Sequence, residues 1–303
     1  MGRLSAIILG SAAGGGFPQW NCACDVCRLA WDGDPRVKLR TQASLAVTTG
    51  PVADQHFALI NASPDLRAQI LATPPLQPHG LRSSPITAVV LTGGEVDQVA
   101  GLLTLRERGT FSLFGTETTL KTLSGNSIFD ALVPEVVRRK AIRPGTSFYL
   151  PNGIEAELFL VPGKAPLYLE GEDPELAAES EANVGIELRA GGARLIFIPG
   201  AAKLTDAMTQ RLRDADVVLF DGTLFDDDEM IASRTGTKTG RRMGHMPVGG
   251  SDGALAALAG LARRRILIHI NNTNPILIQG SPQRRAVEAA GFEVAEDGMR
   301  IEL

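Results

Sequence analysis

Cysteines, aromatic residues and long apolar runs are all scarce in this chain, and each shortage excludes a class of protein. Only 3 of the 303 residues are cysteine, which excludes a disulfide-rich secreted scaffold. Aromatic residues make up 5% of the chain and the formal charge is −4, which argues against a nucleic-acid-binding protein with a basic face. No apolar run approaches the roughly 18–20 residues of a membrane-spanning helix. We therefore expect a cytoplasmic protein with no nucleic-acid partner and no membrane span.

Short apolar runs between turn residues are abundant. Their length and their β-branched residues predict strands over Ala6–Leu9, Ser44–Val47, Phe57–Ile60, Ile86–Leu91, Ile154–Val161, Val184–Leu188, Leu195–Ile198, Val217–Phe220 and Ile266–Ile270. Helical spacing of apolar residues occurs in Leu66–Leu71, Val99–Arg108, Leu204–Arg213 and Ala254–Ala262. This mixture predicts a layered α/β fold. Since no linker or repeat divides the chain, we expect one domain over residues 1–303.

Two segments are strongly charged. The acidic stretch Glu170–Glu181 is typical of a solvated excursion from the fold. The basic stretch Arg234–Arg242 has two interpretations: it attracts carboxylates of a substrate, or it is a solvated loop.

The three cysteines form one C-x-C-x-x-C motif, made of Cys22, Cys24 and Cys27. Three thiolates at this spacing converge on a single ion, and zinc prefers tetrahedral sulfur and nitrogen ligands. With a fourth ligand from elsewhere in the chain, such a site is closed and therefore structural. Of the four histidines, His56 and His79 lie in contexts typical of ordinary surface or turn residues.

Polar residues also follow several predicted strands, where layered α/β folds place their chemistry. The candidates are Asp97, Asp221, His245 and His269. Each residue alone is weak evidence for a functional site, because acidic residues after strands usually cap helices or form turns. His269 stands between two isoleucines, which is also the pattern of a buried core histidine. Together, two carboxylates and two histidines predict a site for a hard metal ion.

The order of these residues resembles the metallo-β-lactamase superfamily. Thr92–Gln98, followed by Gly101 and Leu102, is similar to that family's ligand motif T-H-x-H-x-D-H-x-x-G-L. Ligand positions of the family are held here by Gly93, Glu95, Gln98 and Lys164. The resemblance implies a metallo-β-lactamase-like fold, an αββα four-layer sandwich.

By position, the resemblance implies that the first metal site of the superfamily has lost its histidines. The second site keeps Asp97, Asp221 and His269, with Gln98 as a substituted fourth ligand that offers a neutral carbonyl oxygen. Two carboxylates and one imidazole, with room for a substrate, suit non-haem iron better than a pair of hydrolytic zinc ions.

A closer resemblance, over essentially the whole chain, is to the pyrroloquinoline quinone (PQQ) biosynthesis protein B family. It rests on Gly14–Cys22 with Cys24 and Cys27, on Gly101–Glu107 and on His269–Pro275. This resemblance implies an iron-dependent oxygenase that uses O₂ and hydroxylates the tyrosine ring of a cross-linked Glu-Tyr intermediate. Asp97, Asp221 and His269 would then hold Fe(II), and His245 would be a nearby acid or base.

A phosphodiesterase branch with a comparable cysteine loop suggests the fourth ligand of the structural zinc. That branch completes its site from the residue three positions after the terminal histidine, which is Asn272 here. We therefore predict Asn272 as the fourth ligand. His269 is the rival assignment, because asparagine is an uncommon zinc ligand.

Two other functions stay open. The lost histidines and Gln98 are what a binding-only pocket would show, so a carrier of the quinone cofactor or its precursor is the main alternative. Metal-dependent hydrolysis is the lesser one, because the ligands of a hydroxide-generating metal are missing. The sequence leaves the oligomeric state open, with a homodimer among the options.

Overall fold

The computed structural model describes residues 2–50, 56–171 and 175–303. The strands in these residues are β1 (Leu4–Gly10), β2 (Ser44–Thr49), β3 (Phe57–Ile60), β4 (Ile86–Val90), β5 (Phe111–Gly115), β6 (Val137–Ala141), β7 (Ser147–Tyr149), β8 (Glu155–Gly163), β9 (Ala178–Ala190), β10 (Ala193–Ile198), β11 (Ala215–Asp221), β12 (Ala262–Ile268), β13 (Phe292–Val294) and β14 (Arg300–Glu302). The α-helices are α1 (Asp25–Trp31), α2 (Leu66–Ala72), α3 (Val96–Val99), α4 (Glu117–Ser124), α5 (Asp206–Leu212), α6 (Glu229–Ala232), α7 (Ala254–Ala257) and α8 (Pro282–Ala289).

The strands form two mixed sheets. The first has the order β14-β1-β2-β3-β4-β5-β6; its pairs are antiparallel from β14 to β3 and parallel from β3 to β6. The second has the order β13-β12-β11-β10-β9-β8-β7; its pairs are parallel from β13 to β10 and antiparallel from β10 to β7. Both sheets therefore contain a parallel half, whose strands end at a common edge.

Alternation along the strands divides the apolar side chains among three cores. In β10, Leu195 and Phe197 face the core between the two sheets, whereas Ile196 and Ile198 face the core beneath helices α5, α7 and α8. A third core joins the outer face of the first sheet to helices α2 and α4. The layer order is thus helix, sheet, sheet, helix, which confirms the four-layer sandwich implied by the resemblance.

The parallel strands of the second sheet bring the polar segments together. Asp221 is the last residue of β11 and pairs with Ile268 at the end of β12, so His269 follows directly at the same edge. The first sheet reaches this edge through the segment after β4, where the Val184 N–H donates to the Thr92 carbonyl at 2.9 Å. The edge where the sheets meet therefore carries the candidate site, as expected for the carboxyl ends of strands in α/β folds.

Every strand predicted from the sequence is present, but several helix predictions need correction. The predicted helix Ala254–Ala262 ends at Ala257, and Ala262 begins β12. Most of Val99–Arg108 is a 3₁₀ helix, Ala100–Arg106. In the acidic stretch, residues 172–174 lie outside the described part of the chain, and Ala178 already begins β9.

Within the described residues, every helix is too short or too polar to cross a lipid bilayer.

Candidate metal centre and active site

Two carboxylates and two imidazoles converge at the common edge of the sheets. Potential ligand atoms of Asp221, His245 and His269 all lie within 4.8 Å of one another. Asp97 joins them from the first sheet, with Oδ2 at 3.0 Å from Nε2 of His269. The rings of His245 and His269 stack with centroids 5.3 Å apart. The structure thus brings together four residues that are up to 172 positions apart in the chain.

The backbone around this cluster holds the ligand atoms in place. The Ala201 N–H donates to Oδ2 of Asp221 at 2.9 Å, and the Thr223 N–H donates to Oδ1 at 3.0 Å. His269 itself has a left-handed backbone, with φ at 59°. A non-glycine residue in this region costs about 1–3 kcal/mol and is typical of functional sites.

Thr223 belongs to the candidate site, and the sequence does not single it out. Its hydroxyl donates to Oδ1 of Asp221 at 2.6 Å and lies 3.1 Å and 2.9 Å from Nδ1 of His245 and His269. The hydroxyl therefore contacts one carboxylate and both imidazole rings, and these contacts help to fix the orientation of the rings. The Asp-Gly-Thr sequence at a strand end could have indicated this contact, because an aspartate side chain often accepts a hydrogen bond from the backbone N–H two residues later.

The acid and imidazole groups of the cluster shift each other's pKa. Burial favours the neutral form of Asp221, but the charge and hydrogen bond of His245 outweigh it and hold the pKa of Asp221 below its ordinary value. Burial is likewise outweighed at Asp97, whose pKa is lowered by the hydrogen bond and charge of His269. The pKa of His269 is raised despite burial, because Asp97 and Asp221 both stabilise its cation. The cluster is therefore an electrostatically coupled unit.

Gln98 lies beside the cluster but has another partner. Its Oε1 accepts the Glu95 N–H at 3.2 Å, which caps the first turn of α3 in the manner of a capping box. The carbonyl oxygen that sequence analysis assigns to the metal is thus held by the helix terminus. His245 is predicted from the sequence to be an acid or base. In the structure its potential ligand atom lies within 4.8 Å of those of Asp221 and His269, so it is also a candidate metal ligand.

The positions matched to the lost first metal site contain an ion pair. Nζ of Lys164 lies 3.4 Å from Oε1 of Glu95, and the Leu167 N–H donates to the same oxygen at 3.0 Å. Burial raises the pKa of Glu95, although the charge of Lys164 opposes this shift. At Gly93, an added Cβ would come within 2.5 Å of Oε1 of Gln98, so no side chain fits there without movement.

A cavity of about 540 Å³ opens onto three residues of the cluster, and the fourth, Asp221, is fully buried. Its lining includes Asp97, His245 and His269, together with Lys164 and Lys238 on another part of the wall. The volume is in the range of pockets that enclose a small organic molecule. The arrangement can therefore present a metal ion to a bound substrate.

The donor atoms of the cluster fit a divalent first-row metal ion. Imidazole nitrogens suit iron, copper and zinc, whereas carboxylate oxygens suit harder ions, and a set with two histidines and a carboxylate is typical of non-haem Fe(II) sites. Asp221, His245 and His269 supply this set, and Asp97 is adjacent.

The three cysteines form a second cluster, away from this cavity. The Sγ atoms of Cys22, Cys24 and Cys27 lie within 4.8 Å of one another. Cys24 caps helix α1, and the Cys27 N–H reaches its sulfur at 3.5 Å. The hydrogen bond between the two side chains lowers the pKa of Cys27 and raises that of Cys24. Three convergent sulfurs are a suitable donor set for zinc.

Asn272 lies next to the three cysteine sulfurs. Its Nδ2 lies 3.2 Å from Sγ of both Cys22 and Cys27. The ring of the rival residue, His269, is bound to Asp97 and Thr223 in the other cluster. His56 and His79 are exposed. Asn272, and not His269, therefore lies beside the cysteines. The atom that faces the sulfurs is its amide nitrogen, which donates hydrogen bonds to them, so zinc ligation through Oδ1 requires the amide to turn over.

Glu229 supports the segment that carries Asn272, and we expect it to make stability depend on pH. Its carboxylate accepts the Thr273 hydroxyl at 2.6 Å and the Phe225 N–H at 2.8 Å, yet burial raises its pKa from 4.5 to about 7. An acid whose pKa is higher in the folded state binds more protons when folded, so the free energy of unfolding falls as pH rises from about 4.5 to about 7. The full loss is about 3 kcal/mol.

The Glu229→Gln variant tests this expectation, because glutamine stays neutral at every pH. In urea unfolding, we expect the variant to match the wild-type protein near pH 5 and to exceed its stability near pH 8. The exposed Glu135→Gln is the matched control. A stability difference that is the same at both pH values would contradict the assignment.

Comparison with known proteins identifies the family. Residues 56–270 match the β-lactamase superfamily domain. Coenzyme PQQ synthesis protein B of Methylobacterium nodulans is 53% identical over 302 residues, which cover 99% of this chain and 100% of the relative. The crystal structure of Zn²⁺-bound PqqB from Methylobacterium extorquens has a TM-score of 0.95 at 50% identity and covers 99% of this chain and 100% of that one.

A more distant structure shares the fold. A diphosphatase of the PhnP family has a TM-score of 0.68 at 20% identity, with 99% of this chain and 97% of that chain covered. At this identity the similarity concerns the fold alone. Together with the full-length relatives above 50% identity, the comparisons show that the chain belongs to the coenzyme PQQ synthesis protein B family of the β-lactamase superfamily.

Proposed function

We propose that this protein is an iron-dependent oxygenase that hydroxylates the tyrosine ring of a cross-linked Glu-Tyr intermediate during PQQ biosynthesis. The role in PQQ biosynthesis follows from its family. The observation that carries the finer proposal is the cluster of Asp97, Asp221, His245 and His269, of which all but the buried Asp221 line one cavity. We further propose that it acts in the cytoplasm, where a thiol cluster stays reduced.

The donor set supports iron rather than a hydrolytic metal pair. Asp221, His245 and His269 would hold Fe(II), and Asp97 adjoins His269. In this arrangement His245 is a ligand rather than the acid or base of our sequence analysis. The bound iron would supply the redox chemistry that inserts one oxygen atom of O₂ into a ring C–H bond. A second metal has little support, because Glu95 is paired with Lys164 at the positions of the first site.

Residues of the chain would prepare the site for this reaction. The Thr223 hydroxyl lies within hydrogen-bond distance of both imidazoles and would hold their orientation. The Ala201 N–H donates a hydrogen bond to Oδ2 of Asp221 and fixes the position of this oxygen. The cavity would hold the substrate ring beside the cluster, in contact with Asp97, His245 and His269. Thr223 therefore acts as a positioning residue rather than as a ligand.

The test is turnover by the anaerobically reconstituted protein. Protein with measured Fe(II) content is mixed with the intermediate, ascorbate and isotopically labelled O₂, and the products are analysed by mass spectrometry. Ascorbate is needed because hydroxylation reduces the second oxygen atom to water, which takes two electrons and two protons. We expect one labelled oxygen atom in the ring. Absence of product from iron-loaded protein would refute the oxygenase.

A carrier of the quinone or its precursor is the second candidate, and Gln98 is the observation that favours it. Because its Oε1 already accepts the Glu95 N–H, the position adds no strong ligand to the metal site. A carrier would bind PQQ tightly without metal and would release it unchanged. Equilibrium binding of PQQ to the metal-free protein, measured beside the turnover assay, separates the two functions.

A further inference from the structure

Three cationic side chains surround a single carboxylate on the cavity side of the protein. Nζ of Lys164 lies 2.5 Å from Oε1 of Glu170. Nζ of Lys238 and Nη1 of Arg242 each lie 3.7 Å from its Oε2. The acidic stretch Glu170–Glu181 is predicted to be solvated. The Glu170 side chain is only 8% exposed, so the prediction is wrong for this residue. The three cations lower the pKa of Glu170, and Lys164 contributes most to this shift.

The positive charges in this group exceed the negative ones. Among the ion pairs of the described residues, the other carboxylate paired with these cations is Glu95, which contacts Lys164. Three cations thus face two carboxylates. Among the residues that the structure describes, Nη1 of Arg242 and Oε1 of Glu170 are both buried without a hydrogen-bond partner of good geometry. Buried donors of this kind are rare in native proteins and call for an explanation, such as a ligand.

The cations lie in the same cavity as the candidate metal centre. Lys164 and Lys238 both line the cavity that contains His245 and His269. The stem of Lys164 passes beside Gly244, where an added Cβ would lie 3.3 Å from its Cγ, so the lysine adjoins the residue before His245. A molecule in the cavity can therefore contact both the metal centre and the ammonium groups.

We infer that Lys164, Lys238 and Arg242 form a subsite for a carboxylate of the substrate, and that Glu170 occupies this subsite until the substrate carboxylate replaces it. The choice of substrate class, an aromatic amino-acid derivative with carboxylates, rests on the proposed function. The enclosed setting strengthens charge-assisted hydrogen bonds to the incoming carboxylate. Glu170 keeps the cations together in the free protein, at the cost of competing with the substrate.

The experiment is calorimetric binding of two probes to the full-length protein with measured metal content. The probes are the dipeptide L-glutamyl-L-tyrosine and its dimethyl ester, which lacks both carboxylates. We expect the acid to bind about tenfold more tightly than the ester, equivalent to about 1.4 kcal/mol. Equal affinity for the two probes would overturn the inference.

Two variants test the roles of the individual residues. Lys238→Met should weaken binding of the acid about tenfold and leave binding of the ester unchanged. Lys238 is 39% exposed, so this variant is expected to fold. Lys203→Met, at an exposed lysine outside the cavity lining, is the matched control. A Lys238 variant that binds the acid as the wild-type protein does would refute the subsite.

Glu170→Gln should instead strengthen binding of the acid, by about three- to tenfold, because the neutral side chain no longer competes for the cations. The exposed Glu179→Gln is its control. Weaker binding in Glu170→Gln would show that the cations need this carboxylate, which refutes its replacement by substrate. Binding requires no turnover: loss of the acid preference refutes only the subsite, and absence of hydroxylated product refutes only the oxygenase.

Discussion

Replacing Asp221 with asparagine is expected to lower the affinity for the catalytic metal by at least about 100-fold and to abolish turnover. Loss of an outer hydrogen-bond partner of a metal ligand already costs about 10–100-fold in metal affinity, and Asp221 is a proposed direct ligand. It also accepts hydrogen bonds from Ala201, Thr223 and His245. Asparagine keeps the shape and one acceptor oxygen but removes the charge.

Element analysis after dialysis is the measurement for this variant. The cysteine cluster supplies an internal reference, because its zinc should stay in the Asp221→Asn protein while the iron is lost. Asp228→Ala, an exposed position that makes no side-chain cap hydrogen bond to α6, is the matched control. A variant that retains both iron and turnover would remove Asp221 from the metal centre.

The second large effect is expected at Cys27. Replacing this fully buried cysteine with serine should remove the structural zinc and lower the free energy of unfolding by more than about 4 kcal/mol, a loss typical of metal-site removal. For a protein of this size, the melting temperature should fall by roughly 10 °C. The reason is that a zinc ion bound by the cysteines would join the N-terminal loop to the segment of Asn272, which already contacts Cys27 from 245 positions away.

Thermal unfolding and zinc content test this prediction together. Ala23→Ser, an exposed position in the same loop, is the matched control. Asn272→Ala and His269→Ala then separate the two assignments of the fourth ligand: the first should weaken zinc binding, and the second should leave it intact. Zinc loss from the His269 variant, with retention in the Asn272 variant, would reverse the assignment. A Cys27 variant with full zinc content would refute the site itself.

The layered fold was largely predictable because local pattern encodes it. Runs such as Phe57–Ile60 have the bounds predicted from their apolar, β-branched residues. The short strands β13 and β14 have three residues each and carry too little pattern to be distinguished from loops. The alanine-rich segment Ala254–Ala262 has helical composition, but its last residue, Ala262, pairs with Ala215 of β11. Tertiary pairing overrides propensity there.

The chain's sequence by itself determined which residue types are available for chemistry and where they stand relative to strand ends. The Cys22–Cys27 motif is recognised from its residue spacing. Asp97 and Asp221 are recognised from their positions just after predicted strands. Only the tertiary structure decided which of these residues meet. It set Asn272 beside the cysteines and gave Thr223 contacts to both histidines. These contacts depend on the register of parallel strands and on the packing of two sheets, which bring together groups that no local pattern relates.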